Sequence, residues 1–403
     1  MVRHNPFRPG DIVYVGNQDN LGFSFIQYCT DRNIPAWLLI SKRGINRSDP
    51  DFYSPGLFDK YASRIMKGKQ FVDSLQLLYK SRGLHIFSTG IEIMHMLQYS
   101  TPYNSYYIIP TGSDLSNWPF VQPSTALIKN YLLYKDIFFD RMAMITRIYT
   151  SQLDCLYAAR ALGLHNKLKS WVYPSPISYI DSAPGIKVAA SRDIKTIFFL
   201  PSRKNGDSRY TSDKGPQLII NAIEKFALDS SEDTLNSSFF LNVCNGNTGK
   251  LTYTFHNFQS DLDLLKEKYS LNVLHLRNLS AIEYWGILRD PRIIVIDQFG
   301  QFHGHMGGIG REACVSGRPV VTGCLDTNDR STRLLYGSQS PILTAFSGTE
   351  ICNHMKWFSE LTPHKRKVLS KRIREWALNI FNPDRAFKSI LDDIRNSESF
   401  SAS

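Results

Sequence analysis

The chain alternates short apolar runs with longer amphipathic stretches, and it does so in two successive halves. Residues 11–15 form a run that suits a buried strand. The loop Gly16-Asn-Gln-Asp-Asn-Leu-Gly22 and a helical stretch to Asp31 follow. Further strand-like runs stand at 36–40, 84–87, 106–109 and 142–149, with a helix over 153–162 and a short strand at 170–173. The second half repeats the rhythm. Strands are predicted at 196–200, 239–243, 272–276, 293–296 and 319–322, and helices at 217–226, 262–269, 281–288 and 310–315. Strands separated by helical stretches are the signature of parallel sheets covered by helices, so each half reads as a Rossmann-like α/β domain. Between them lies Pro174-Ser-Pro-Ile-Ser-Tyr-Ile-Asp-Ser-Ala-Pro-Gly185, whose prolines interrupt regular structure and mark it as the linker. The expected domains are 1–180 and 190–380, followed by a helix over 381–403.

Composition narrows the class without changing this picture. At 403 residues, with 42% hydrophobic and 21% charged positions, the chain is an ordinary globular protein, neither a peptide nor a disordered or fibrous one. Six cysteines are scattered without metal-ligand spacing, which points to a reduced cytoplasm. The N-terminus lacks the apolar region of a signal peptide, and no stretch approaches the ~20 apolar residues of a membrane span. The formal net charge of +11 stands out, and it suggests a phosphate-rich partner, nucleic acid or an anionic membrane surface.

Two segments carry candidate chemistry. In residues 293–323 a buried strand ends at Asp297, a glycine-rich loop follows, and a short helix begins near Gly308 and stops at Gly317. Such a loop presents backbone N–H groups at a helix N-terminus, an arrangement suited to phosphate. Glu312 then stands where it could accept hydrogen bonds from ribose hydroxyls. The alternative is that the glycines permit close packing and Glu312 complements the helix dipole. The second segment, residues 197–220, is a strand ending in Pro201-Ser202-Arg203 and a loop closing on Lys214-Gly215 before a helix. Two cations at the carboxyl end of a parallel strand can neutralise a diphosphate leaving group. Taken singly, loop cations are usually solvated surface.

Together these segments resemble the donor half of the retaining family 4 glycosyltransferases of the GT-B fold. Glu312-Ala-Cys-Val-Ser-Gly-Arg-Pro-Val-Val321 matches the family's closing motif, and Pro201-Ser202-Arg203 with Lys214-Gly215 matches its diphosphate grip. Gly304 stands eight positions before Glu312, where the family carries another glutamate; His303, His305 or backbone N–H groups are the replacements at hand. The first half is similar more loosely. The loop from Gly16 and Asn17 to Gly22 corresponds to the family's glycine loop, and Tyr106-Tyr-Ile-Ile-Pro-Thr-Gly-Ser-Asp-Leu115 to its His-Gly-Ser-Asp segment, with Thr111 at the histidine's place.

The resemblance implies two Rossmann-like domains facing each other across a cleft, with the helix over 381–403 crossing back to the first. It also implies transfer of a hexosyl or related group from a nucleotide-diphosphate sugar to a glycan, lipid-linked or other hydroxyl acceptor, with retention and without a metal or other cofactor. Arg203, Lys214 and Glu312 become the catalytic residues. Gly16, Asn17, Ser202, Gly304, His305, Met306, Gly307, Gly308 and Ile309 line the donor, and Thr111 and Asp114 the acceptor. Asp114 read by itself is equally an Asx-turn or helix cap. The rival reading is a non-catalytic sugar-nucleotide or glycan-binding protein of the same fold, suggested by Gly304 and Thr111. Nucleic acid rests on charge alone and falls behind both.

Other patterns carry less. Asp49-Pro-Asp51 and Asp261-Leu-Asp263 match a metal-binding Asp-x-Asp but read as surface turns or helix starts, and Gly246-Asn-Thr-Gly-Lys250 lacks P-loop spacing. His85 and His95 read as core or surface histidines. The positive charge gathers at residues 60–82 and 365–374. The first stretch is an amphipathic helix or loop; the second is equally the helix that crosses back. These stretches leave open a peripheral contact with an anionic membrane.

Overall fold

The computed structural model describes residues 5–40, 49–90, 92–110, 115, 128–188, 193–203, 215–245, 253–299, 306–323, 330–337 and 339–401. The chain divides into two compact units, Met1–Tyr173 with Pro383–Ser403, and Pro174–Asn382.

The first unit runs β1 (Ile12–Val15), α1 (Leu21–Thr30), β2 (Ala36–Ile40), α2 (Leu57–Lys60), β3 (Ile65–Lys67), α3 (Lys69–Lys80), β4 (His85–Ser88), α4 (Glu92–Gln98), β5 (Ser105–Ile108), α5 (Ile128–Arg141), β6 (Ile145–Thr150), α6 (Leu153–Ala161) and β7 (Leu168–Ser170). Its seven strands lie in the order β3-β2-β1-β4-β5-β6-β7, every pairing parallel. All four residues of β1 and of β4 are buried, as expected of central parallel strands covered on both faces. One face buries Val13, Val15, Leu39, Ile86, Tyr106 and Ile148 against α3, α4 and α6. The other carries an aromatic row across adjacent strands. Tyr14 and Phe87 lie 6.2 Å apart, Phe87 and Tyr107 stack at 4.5 Å, and Tyr149 lies 6.3 Å beyond. The strand expected at 170–173 lies slightly earlier, in β7. Trp171 and Tyr173 leave the sheet and are buried beside each other, 5.2 Å apart.

The second unit runs α7 (Ile177–Ser182), β8 (Thr196–Arg203), α8 (Pro216–Asp229), α9 (Glu232–Asn236), β9 (Ser238–Asn245), α10 (Tyr253–Tyr269), β10 (Asn272–Arg277), α11 (Ala281–Leu288), β11 (Ile293–Ile296), α12 (Gly308–Val315), β12 (Val320–Thr322), α13 (Arg330–Tyr336), β13 (Leu343–Thr344), α14 (Gly348–Glu360) and α15 (Pro363–Ile380). Its strand order is β10-β9-β8-β11-β12-β13, again wholly parallel.

The segment 174–185 is not a free tether. It carries α7, and it packs within the second unit. Arg289 donates to the carbonyls of Asp181 and Ala183, Asp181 pairs with Arg374, and a Cβ on Gly286 would lie 2.3 Å from the Pro184 carbonyl. Its prolines flank a helix instead of excluding one. Asp261 and Asp263, expected in a turn or at a helix start, lie well inside α10, where Asp263 meets His275 at 2.9 Å.

The basic stretch 365–374 stays with the second unit, in α15. Arg366 is buried and donates to Thr196 Oγ1 and to the carbonyls of Lys195, Phe358 and Ser359. Arg374 donates to the Val315 carbonyl and to both oxygens of Asp181. Part of the charge surplus is therefore internal. The chain returns to the first unit in α16 (Pro383–Ser401). There Phe387 packs 5.0 Å from Phe25 and 5.4 Å from Tyr28, Trp171 donates to the Ala386 carbonyl, and Asp393 accepts from Tyr149 and Lys169.

Candidate functional site

An open parallel sheet binds ligands at the carboxyl ends of its strands, where the strand order reverses. In the first unit the order reverses between β1 and β4; in the second, between β8 and β11. The two donor segments leave β8 and β11 at the second of these places, and the Gly16 loop leaves β1 at the first.

In the second unit β8 extends to Arg203, its backbone paired with Val243–Asn245 of β9. The side chains of Ser202 and Arg203, and all of Lys214, lie outside the described residues, as do His303, Gly304 and His305. The chain re-enters at Gly215, which has φ +54° and caps α8. A Cβ there would lie 2.8 Å from that of Phe299, so Gly215 sits directly against the segment that follows β11. After β11, Asp297 is buried and Gln298 takes the left-handed conformation at φ +57°. The Gln298 carbonyl is held by Gly323 N–H and Thr322 Oγ1 at the end of β12. A non-glycine residue kept in that region needs such support, and residues of this kind cluster at functional sites.

Gly307 caps α12 with extended backbone, and as a glycine it offers no side-chain oxygen to the first-turn N–H groups of Gly308, Ile309 and Gly310. Its missing Cβ leaves room for the Gln298 carboxamide, which a Cβ would approach to 3.0 Å. Met306 is buried, and its N–H donates to the Tyr336 hydroxyl at 3.3 Å, which fixes the chain as it enters the helix. Glu312 lies in the second turn of α12 and is only 6% exposed. Trp285 of α11, itself fully buried, donates its indole N–H to Glu312 Oε2 at 3.2 Å. A role confined to the helix dipole would place the carboxylate on the exposed first turn; here it is inside the protein and aimed by an indole. Cys314 follows on the same helix, and full burial pushes its thiol far up, so it remains neutral.

The first unit offers a tighter loop. Gly16 has φ +96°, and a Cβ there would meet Glu92 and the Thr89 carbonyl at about 3 Å. Asn17 is buried, with Oδ1 accepting from Phe23 N–H at 2.7 Å and Nδ2 donating to Asn20 Oδ1 at 2.7 Å. Asn20 in turn donates to the Asp49 carbonyl. The Asn17 carboxamide thus ties the loop to α1. Thr111 and Asp114 lie outside the described residues. Gly22 sets the geometry most strictly, because a Cβ would lie 2.5 Å from the Gly16 carbonyl and 2.8 Å from Tyr14. Gly22→Ala is therefore expected to cost about 1–3 kcal/mol, since backbone cannot step aside as a flexible side chain can. A thermal melt checks this, and an unchanged midpoint would contradict so close an approach.

Sequence reasoning missed Trp285, Tyr336 and Gln298. Trp285 sits in an apolar helical run, where nothing marks its N–H as a hydrogen-bond donor to a distant carboxylate. His85 and His95 serve packing. His85 Nδ1 lies 3.3 Å from the Tyr107 hydroxyl, and the His95 ring stands edge-on to Phe71. Among the described residues no group of three or more His, Cys, Asp or Glu side chains is placed to hold a metal ion.

No family model and no curated protein matches the chain by sequence. Solved structures do resemble it along its length. A glycosyltransferase from Rickettsia africae ESF-5 superposes with a TM-score of 0.64 at 11% identity, covering 97% of this chain and 99% of that one. Sucrose-phosphate synthase from Thermosynechococcus elongatus gives 0.61 at 11%, covering 98% and 100%. An α,α-trehalose-phosphate synthase (UDP-forming) from Burkholderia xenovorans, in complex with glucose-6-phosphate, gives 0.59 at 9%, covering 96% and 99%. With its two parallel, helix-covered sheets, the chain has the GT-B fold, as the sequence resemblance implies.

Proposed function

We propose that this chain is a retaining glycosyltransferase that moves a sugar from a nucleotide-diphosphate donor to a hydroxyl acceptor. The observation that carries the reading is the α12 N-terminus. It is glycine-capped, it lies at the strand-order reversal of the second unit, and a buried carboxylate aimed by an indole stands one turn further on. First-turn N–H groups of that kind receive a phosphate, and Glu312 then accepts from ribose hydroxyls. Arg203 and Lys214 neutralise charge on the departing diphosphate. The acceptor oxygen attacks the anomeric carbon from the leaving group's own face. The bond from that carbon to the phosphate oxygen breaks, and the acceptor's proton passes to the departing phosphate oxygen. The protein's part is positioning and charge stabilisation, so no strong base is required. The sugar-phosphate in one similar structure makes phosphorylated sugars a natural first class of acceptor to try.

A thermal-shift panel of uridine, guanosine, adenosine and thymidine diphosphates and their sugars tests the reading. A matched donor near a hundred times its Kd stabilises by about 2.7 kcal/mol, raising the midpoint by about 5–10 °C. Nucleotide release with the same donor and an added acceptor then completes the case. No shift with any member of the panel overturns it, and a shift without turnover favours the non-catalytic sugar-nucleotide-binding alternative.

A further inference from the structure

The other concentration of positive charge lies on the first unit. Between Lys60 and Arg82 the chain holds six cations and a single acid, Asp73. The structure sets them around α3. Phe71, Leu75 and Leu78 face the core, while Lys69, Val72, Gln76, Tyr79 and Lys80 follow one another at helical spacing along the opposite side, all exposed. Val72 is 52% and Tyr79 57% exposed, high values for apolar side chains on a helix that already has a core face. Arg82 continues the stripe beyond the helix end, its guanidinium 4.2 Å above the ring of Tyr103, which is also exposed. Lys69 and Lys80 have no acidic partner among the described residues.

We propose that this stripe is a docking surface for an anionic phospholipid membrane, which the chain meets from the side. The charge is complementary to lipid phosphate. Val72, Tyr79 and Tyr103 add what lipid phosphate alone does not explain, an apolar residue and two amphipathic rings suited to the headgroup level. The outward side of a helix fits a broad interface. A single nucleic-acid strand would instead be expected to follow a charged groove lined with stacking rings. No helix among the described residues is long and apolar enough to cross a membrane, so the contact is peripheral. The inference is independent of the glycosyltransferase reading.

The test is co-sedimentation of the full chain with phosphatidylcholine vesicles, with and without phosphatidylglycerol. Binding is expected only with phosphatidylglycerol, and it should weaken as salt rises. Each cation near such a surface accounts for about fivefold in partition, so the triple variant Lys69→Glu, Lys80→Glu, Arg82→Glu should bind at least about a hundredfold more weakly. Lys365→Glu, Lys367→Glu, Lys371→Glu makes the same charge change at exposed positions of α15 and should retain most of the binding. Val72→Ser with Tyr79→Ser should weaken binding at a salt concentration where charge alone is screened. Thermal melts confirm that each variant is folded. The proposal is overturned if the chain ignores anionic vesicles at low salt, if both triple variants lose binding equally, or if α3 reversal abolishes binding to an oligonucleotide while vesicles go unbound.

Discussion

Glu312→Ala is expected to lower kcat/KM for the donor by at least about tenfold and up to about a thousandfold, the range for removing one well-placed charge-stabilising contact. The same change removes the carboxylate oxygen to which the buried Trp285 indole N–H donates, which costs about 1–3 kcal/mol of stability. Glu312→Gln separates the two effects. The glutamine keeps an oxygen for the indole and removes the negative charge, so its thermal midpoint should lie nearer that of the unmodified chain than the alanine variant's does. Its turnover should nonetheless fall with that of the alanine variant. If the glutamine restores both, Glu312 is a packing partner of Trp285 and its place in the donor site is lost. Nucleotide-release kinetics and a melt on the same preparations suffice.

Phe387→Ala is expected to cost about 3–5 kcal/mol, the range for emptying a buried aromatic site. Phe387 is fully buried, 5.0 Å from Phe25, 5.4 Å from Tyr28 and 6.4 Å from Trp171. These contacts hold α16 over the side of the sheet that carries the aromatic row, so the loss falls on the first unit. Polar contacts hold the same helix further along. Burial, reinforced by Asp393, pushes the Tyr149 hydroxyl far above its ordinary range, so it stays protonated and donates to that carboxylate. Calorimetry should show the cost, and a change under 1 kcal/mol would mean that α16 is held by something other than its aromatic anchor.

Much of the architecture was legible because β1, β2, β4, β8 and β11 are short apolar runs bounded by glycine, proline or polar residues. The α12 segment was legible because glycines, a buried strand and Glu312 occur in one stretch. Two of the edge strands were not. β3 and β13 span three residues and two, too short for a periodicity to show. The contacts that hold the site were hidden for a different reason. Trp285 reaches Glu312 across 27 positions and Tyr336 reaches Met306 across 30, and neither residue type announces a polar duty. The charge misled in part for the same reason, because a sequence does not mark which arginines face inward. Arg366 and Arg374 read as part of a basic surface, yet they bond carbonyls and a carboxylate within the second unit.

The first unit is discontinuous in the chain: its sheet is complete by Ser170, but its covering helix begins at Pro383. On the ribosome the whole second unit is therefore made between the two parts of the first. Until the last nineteen-residue helix emerges, Phe25 and Trp171 wait without Phe387. The order of completion thus runs opposite to the order of synthesis, and the nascent first unit has an apolar face to shield in the meantime.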